Sequence, residues 1–171
     1  MDQYPKRKRN RIADYDYSQN GAYYITICTD KKEHLFWSSC RGELCSPGDF
    51  VLHIELSDIG RIVKNEIEKI GSVYDGVRVD QFCIMPDHIH LIISIDSAGR
   101  ANAVRPYDMN EAPTISRIVK QFKGSVTKQL GTSIWQKSFY DHCIRNQKDY
   151  DDTWKYIEEN PLKYKLGYRR G

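Results

Sequence analysis

At 171 residues the chain fits one ordinary domain, residues 1–171, long enough to bury a sizeable apolar core. A formal net charge of only +3 excludes binding of polyanions through bulk charge, so such binding would rest on local clusters: Lys6-Arg7-Lys8-Arg9-Asn10-Arg11 within a basic N-terminal extension, 1–14, and Arg169-Arg170. The five cysteines, Cys28, Cys40, Cys45, Cys83 and Cys143, are odd in number and form no Cys-x-x-Cys pair, which argues against a disulfide framework and a thiolate zinc site; with no signal-peptide-like opening and no run of roughly 20 apolar residues, a cytoplasmic protein without a membrane partner is expected.

Residues 22–28, β-branched and aromatic after Asn20-Gly21, predict a first strand, and Leu35-Phe36-Trp37 a short edge piece. Ser57 predicts an N-cap, and Ile59, Ile62, Val63, Ile67 and Ile70 recur at helical spacing until Gly71 stops the first helix. Residues 77–84 and 89–95 predict a hairpin joined by Met85-Pro86-Asp87, where Pro and Asp suit a tight turn. Residues 97–113 carry Gly, Pro, Asn and charges without periodicity and predict a mobile loop able to cover a site.

A second helix is expected from Thr114. Its buried stripe is Ile115, Ile118, Val119, Phe122, Val126 and Leu130, and its opposite side carries Arg117, Lys120, Gln121, Lys128 and Gly124. A mid-helix Gly costs about 1 kcal/mol relative to Ala, so Gly124 is either a point of close backbone approach or a tolerated accident. Residues 139–144 predict a fourth strand. Asn146 then caps a last helix expected to end near Asn160, because Pro161 disfavours helical geometry in the residue before it. Strand, helix, strand, strand, helix, strand is the α+β, ferredoxin-like (split βαβ) order: an antiparallel sheet with helices on one face, to which a C-terminal helix is added.

The chemistry concentrates in Pro86-Asp87-His88-Ile89-His90-Leu91. Residues two apart on a strand share a face, so His88 and His90 project together, as half a metal site or as two histidines on a solvated sheet. On the last helix Tyr150, Trp154 and Ile157 form one stripe, the expected core contact. Tyr156 and Asn160 share another face, turned about 100° away and read as off the core.

Six ordered blocks give these residues a context. They are Tyr15-Asp16-Tyr17-Ser18-Gln19-Asn20-Gly21 leading into Tyr24-Ile25-Thr26-Ile27-Cys28-Thr29; Met85-Pro86-Asp87-His88-Ile89-His90-Leu91; Thr114-Ile115-Ser116; Phe122-Lys123; Trp135-Gln136-Lys137-Ser138-Phe139-Tyr140-Asp141-His142-Cys143-Ile144-Arg145; and Tyr156-Ile157-Glu158-Glu159-Asn160-Pro161. Through most of its length the chain resembles the single-tyrosine HUH transposases, in the branch called REP-associated tyrosine transposases. The resemblance implies Tyr156 as nucleophile, His88, His90 and Asn160 as metal ligands, and a 5′-phosphotyrosine intermediate on single-stranded DNA that carries palindromic hairpins. It also implies a monomer in preference to a homodimer. Imidazole ligands by themselves favour zinc or other later transition metals, whereas the family implies Mg²⁺ or Mn²⁺; Mn²⁺ satisfies both arguments.

Further expectations are phosphate contacts from Lys6, Arg7, Lys8, Arg9, Arg11, Arg117, Lys120 and Lys128, and accessory roles for Trp135, Gln136 and His142. Trp135 and Gln136 would stack on or bond to a base, or pack; His142 would act in catalysis or serve as a hydrogen-bonded structural residue. His34 and His53 are read as ordinary surface residues. Two other classes fit the same residues: a non-catalytic single-stranded nucleic-acid binder using exposed aromatics, and a hydrolytic metallonuclease in which metal-bound water attacks.

Overall fold

The structure, a computed structural model, describes residues 19–38, 54–96 and 113–167. The basic run Lys6–Arg11, Arg169-Arg170, His53 and nearly all of the expected 97–113 loop lie outside these residues.

Four strands, β1 (Gly21–Cys28), β2 (Val77–Ile84), β3 (His88–Ile95) and β4 (Tyr140–Ile144), form one antiparallel sheet in the order β2-β3-β1-β4. Helix α1 (Asp58–Val73) carries the chain from β1 to β2, and α2 (Ile115–Leu130) follows β3. This is the ferredoxin-like arrangement expected from the element order. Helices α1 and α2 pack on one face over a core that includes Tyr23, Ile25, Ile27, Ile67, Ile89, Leu91, Ile93, Ile118 and Phe122. Helix α3 (Gln147–Lys165) crosses the other face above β2 and β3, where Ile157 packs with Cys83, Met85 and Ile92.

Strand alternation decides which side chain meets which layer. On β1 and β3 the odd-numbered residues enter the α1/α2 core. Even-numbered Tyr24, His90 and Ile92 meet the α3 face. Strand β2 begins with the same parity, Val77 and Val79 facing the core. Its register shifts between Val79 and Gln81, so that Phe82 and Ile84 face the core and Cys83 faces α3. The extra residue is Asp80, and such a bulge re-aims the side chains around it.

Ser57 caps α1 as expected, its Oγ accepting the Gly60 N–H at 3.0 Å; α2, expected from Thr114, begins at Ile115 with Thr114 as its N-cap, Oγ1 accepting the Arg117 N–H at 3.3 Å. Helix α1 runs two residues past Gly71 to Val73. Residues 35–37 do not form an edge strand of the sheet. They strap the hairpin to α1: the Leu35 and Phe36 N–H groups donate to Pro86 O at 2.9 and 3.1 Å, the Trp37 indole donates to Ile84 O at 2.7 Å, and Phe36 O accepts the Ser57 N–H at 2.9 Å. Gly60 makes this approach possible, because a Cβ there would lie 2.2 Å from Phe36 O. Gly124 meets nothing within 4 Å among the described residues, so no backbone approaches it and it is the tolerated glycine.

Asn146 caps α3, accepting the Asp149 N–H at 2.9 Å, but the helix does not stop at Asn160. Pro161 removes one N–H from the ladder without ending it. The turn beyond it is held from outside, with Tyr164 edge-on to Trp37 at 5.4 Å and to His34 at 6.4 Å, and with the Leu166 N–H on Leu162 O at 3.0 Å. No described helix is long and apolar enough to cross a membrane.

Candidate active site

The hairpin turn that introduces β3 is fastened on both sides. Met85 N–H donates to His88 O at 2.8 Å, and Thr29, just past β1, donates its N–H and its hydroxyl to Asp87 O, both at 2.9 Å. His88 and His90 follow on one face of β3, as the alternation requires, and their Nε2 atoms lie 3.1 Å apart. In register beside them on β1 stand Cys28, opposite His88, and Thr26, opposite His90.

Each imidazole is held at its other nitrogen. His88 Nδ1 lies 2.5 Å from Asp87 Oδ1, and His90 Nδ1 lies 2.7 Å from the Tyr24 hydroxyl and 2.9 Å from the Thr26 hydroxyl. The Tyr24 ring stacks on His90 at 5.5 Å and 23°. His90 is 4 % exposed; burial, with His88 beside it as a lesser cause, pushes its pKa down to about 3, so the ring is neutral at physiological pH. Burial pushes the Tyr24 phenol well above its ordinary value, and Tyr156 next to it adds to the shift.

Helix α3 brings Tyr156 over this pair. Its ring lies edge-on to His90 at 5.5 Å and to Tyr24 at 6.2 Å. The sequence places Tyr156 off the core, yet it is half-buried against the sheet. Because α3 crosses the sheet with Ile157 as its buried contact, the neighbouring Tyr156 face also looks down onto the sheet. One turn on, the Asn160 amide nitrogen is buried without a hydrogen-bond partner among the described residues.

Two polar anchors hold the start of α3. Asp149 lies 2.9 Å from His142 Nε2 and accepts the Arg145 N–H at 3.0 Å. Tyr150 donates to Asp80 at 3.1 Å, and Asp80, nearly buried at the bulge, also accepts Arg78 Nε at 2.6 Å and the Ser94 hydroxyl. His142 is therefore bonded to the helix that carries Tyr156, in keeping with its structural alternative.

Not every expected residue joins this cluster. Trp135 is buried in the opposite core against Phe36 and Phe122, in keeping with its packing alternative and not with stacking on a base. Gln136 is half-buried beside the end of β1, its N–H donating to Cys28 O at 3.0 Å and its carbonyl accepting Lys123 Nζ at 2.8 Å. Arg117, Lys120 and Lys128 are exposed on α2, across the sheet from the histidines. Among the described residues there is no group of three or more His, Cys, Asp or Glu side chains that could hold a metal. Sequence reasoning did not single out Tyr24 and Thr26, although their alternation with Ile25 places them on one strand face.

The sequence pattern of the family described as "Transposase IS200 like" matches residues 56–160. An uncharacterized protein of Haemophilus influenzae is 34% identical over 169 residues, covering 91% of this chain and 88% of that protein. The REP-associated tyrosine transposase of Escherichia coli K12 is 31% identical over 87 residues, 50% of this chain and 45% of that one, so the match spans under half of that relative. The fold is similar to the solved structure of a REP-associated tyrosine transposase bound to a REP hairpin, with a TM-score of 0.54 and 20% identity over 90% of this chain and 74% of that chain. With the family pattern running from the start of α1 to Asn160 and so enclosing the histidine pair and Tyr156, the chain belongs to the IS200-like transposase family, with REP-associated tyrosine transposases among its relatives.

Proposed function

We propose that this transposase-family protein cleaves and rejoins single-stranded DNA through a covalent bond to Tyr156, with His88, His90 and Asn160 holding a divalent Mg²⁺ or Mn²⁺ ion. The observation that carries the reading is the phenol ring of Tyr156 lying 5.5 Å from His90, whose Nε2 is 3.1 Å from that of His88. At a separation of 3.1 Å the two Nε2 atoms could both reach one divalent ion. The Asn160 amide nitrogen, without a partner among the described residues, fits the same reading. Amide oxygen and nitrogen are assigned from their partners, and a flipped amide would present a carbonyl oxygen where no protein donor meets it.

In this mechanism Tyr156 Oη attacks phosphorus in line. The bond from phosphorus to the 3′ oxygen breaks, the phenol proton is lost, and the 3′ oxygen leaves as a hydroxyl after taking up a proton. The products are a 5′-phosphotyrosine and a free 3′-hydroxyl, and attack by a second 3′-hydroxyl reverses the step without ATP. A divalent ion, when bound, withdraws charge from the non-bridging phosphate oxygens and so eases attack by a phenol whose ordinary pKa is about 10. Asp87 and the Tyr24–Thr26 pair hold the two imidazoles, and the α3 anchors hold Tyr156 over them. The DNA substrate is a hairpin with flanking single strand, by analogy with the REP hairpin bound by the structurally similar transposase.

The test is Tyr156→Phe, which removes one oxygen and leaves packing nearly intact. Cleavage and the denaturation-resistant protein–DNA adduct disappear while DNA binding persists; Tyr150→Phe keeps both activities. An adduct that survives in Tyr156→Phe would place the nucleophile elsewhere. Turnover without an adduct in the wild type would indicate hydrolysis, and binding without cleavage, unchanged by chelator, would indicate a binding module.

A further inference from the structure

We infer that Tyr24 and Thr26 are positioning residues for His90, two hydroxyls at Nδ1 that let the ring move its proton away from Nε2 when a cation binds. The inference rests on the reading of His88 and His90 as metal ligands.

The two imidazoles are held in different ways. His88 meets a carboxylate, Asp87, at 2.5 Å. An ionised carboxylate only accepts, so it fixes the proton of a neutral His88 at Nδ1 and leaves the lone pair at Nε2. His90 Nδ1 meets two hydroxyls, at 2.7 and 2.9 Å, and a hydroxyl can donate or accept. Two consistent arrangements follow for His90. In the first, Nε2–H donates to His88 Nε2 across 3.1 Å and Nδ1 accepts from a hydroxyl. In the second, Nδ1–H donates to Tyr24 or Thr26, and both Nε2 lone pairs converge on one point.

The second arrangement places two lone pairs 3.1 Å apart beside the buried His90, an arrangement that a shared cation stabilises. The exchange moves one proton between two nitrogens of the same ring and leaves its charge unchanged. A carboxylate at Nδ1 would impose the second arrangement in the metal-free protein. Apolar groups there would leave the Nδ1–H of the second arrangement buried without an acceptor, which disfavours it. Stacking by Tyr24 at 5.5 Å and 23° fixes the ring plane, so relocation of the proton, and not rotation of the ring, makes the change. The Tyr24 ring also lies edge-on to that of Tyr156 at 6.2 Å.

The test uses the full chain with ¹⁵N-labelled histidine, whose ring nitrogen shifts report the tautomer, with Mg²⁺ as the probe. In the metal-free wild type His88 carries Nδ1–H and His90 carries Nε2–H; on Mg²⁺ addition His90 changes to Nδ1–H and His88 does not. In Tyr24→Phe/Thr26→Val the change is lost and Mg²⁺ affinity falls roughly 10–100-fold, while the melting temperature and metal-free hairpin binding stay near wild type. Should that variant not fold, Tyr24→Phe alone and Thr26→Val alone, each leaving one hydroxyl at Nδ1, are compared with wild type; retained exchange with weakened Mg²⁺ affinity in at least one supports the assignment, and wild-type affinity in both overturns it. Wild-type Mg²⁺ affinity in a folded double variant, or a His90 already carrying Nδ1–H without metal, overturns it. A wild type that binds neither Mg²⁺ nor Mn²⁺ at these histidines overturns the metal reading itself.

Discussion

Replacing Ile157 by Ala removes the only α3 side chain that is fully buried among the described residues, at the point where the helix meets Cys83, Met85 and Ile92. Three carbons leave an environment of zero exposure. At about 0.8 kcal/mol per methylene-sized group, transfer alone accounts for about 2.4 kcal/mol. Incomplete collapse of the cavity raises the loss to about 3–4 kcal/mol, within the range of about 2–5 kcal/mol typical of Ile→Ala in a core. What remains to hold α3 is the partly buried packing of Tyr150, Trp154 and Tyr156, the polar anchors of His142 to Asp149 and Tyr150 to Asp80, and the contact of Tyr164 with Trp37. The loss therefore falls first on the docking of α3, and the ratio of docked to undocked helix drops by roughly a hundredfold or more. Amide hydrogen exchange should accelerate along α3 while β1 and β3 stay protected, and urea unfolding gives the total loss. Tyr156 and Asn160 ride on this helix, so adduct formation slows although neither residue is changed. Unaltered exchange in α3 together with a stability loss below about 1 kcal/mol would show that Ile157 does not hold the helix on the sheet.

A second prediction concerns pH. His90, pushed down to about 3 by burial and by His88, stays neutral when folded but binds a proton at about 6.5 when unfolded. The unfolded state then binds more protons across that window, so metal-free stability is fully present above about pH 6.5 and falls by up to about 1.4 kcal/mol per unit toward pH 3. Urea titrations of wild type and His90→Asn should give a steeper slope for wild type, and equal slopes refute the assignment. Gly60→Ala sets a methyl 2.2 Å from Phe36 O and should cost about 1–3 kcal/mol or more; an unchanged melting temperature would mean that α1 does not abut that carbonyl. Neutralising Lys6–Arg11, or Arg117, Lys120 and Lys128, should weaken DNA binding about equally across sequences and flatten its salt dependence, with cleavage on saturating DNA retained. Unchanged affinity and salt slope would return these residues to the solvated surface.

The elements were legible because local signals agreed with the fold. Ser57, Thr114 and Asn146 cap as their side chains suggest, and the apolar stripes of α1 and α2 face the core. The pairing of His88 with His90 followed from a period of two and needed no partner. Contacts between elements were less legible. Tyr24 and Thr26 share a face by the same period, but only the register between β1 and β3 sets Thr26 opposite His90, and no local residue encodes that register. Pro161 reads as a stop because its ring removes an N–H; the contacts that carry the helix past it come from His34 and Trp37, more than 120 residues earlier. Trp135 reads equally as base platform or core until Phe36 and Phe122 are seen around it.

The extra residue at Asp80 has a consequence for how this molecule tolerates change. On β1 and β3, substitutions at odd positions bear on the α1/α2 core and so on persistence of the fold, while those at Tyr24, Thr26, His88 and His90 bear on the other face. Selection for abundance and selection for transposition would therefore write opposite stripes along these strands. On β2 the stripes must change phase at the bulge: abundance tracks Val77 and Val79 before it and Phe82 and Ile84 after it. Deleting Asp80 would leave Val79 opposite Ile93 and Gln81 opposite Ile92, so β2 would become a regular strand with both halves keeping their faces, and what is lost is the carboxylate that meets Tyr150, Arg78 and Ser94; a deletion elsewhere in β2 would exchange the faces of the residues beyond it. A single-residue deletion at the bulge should thus be far less damaging than one a few residues away on the same strand, and should resemble substitution of Asp80 itself.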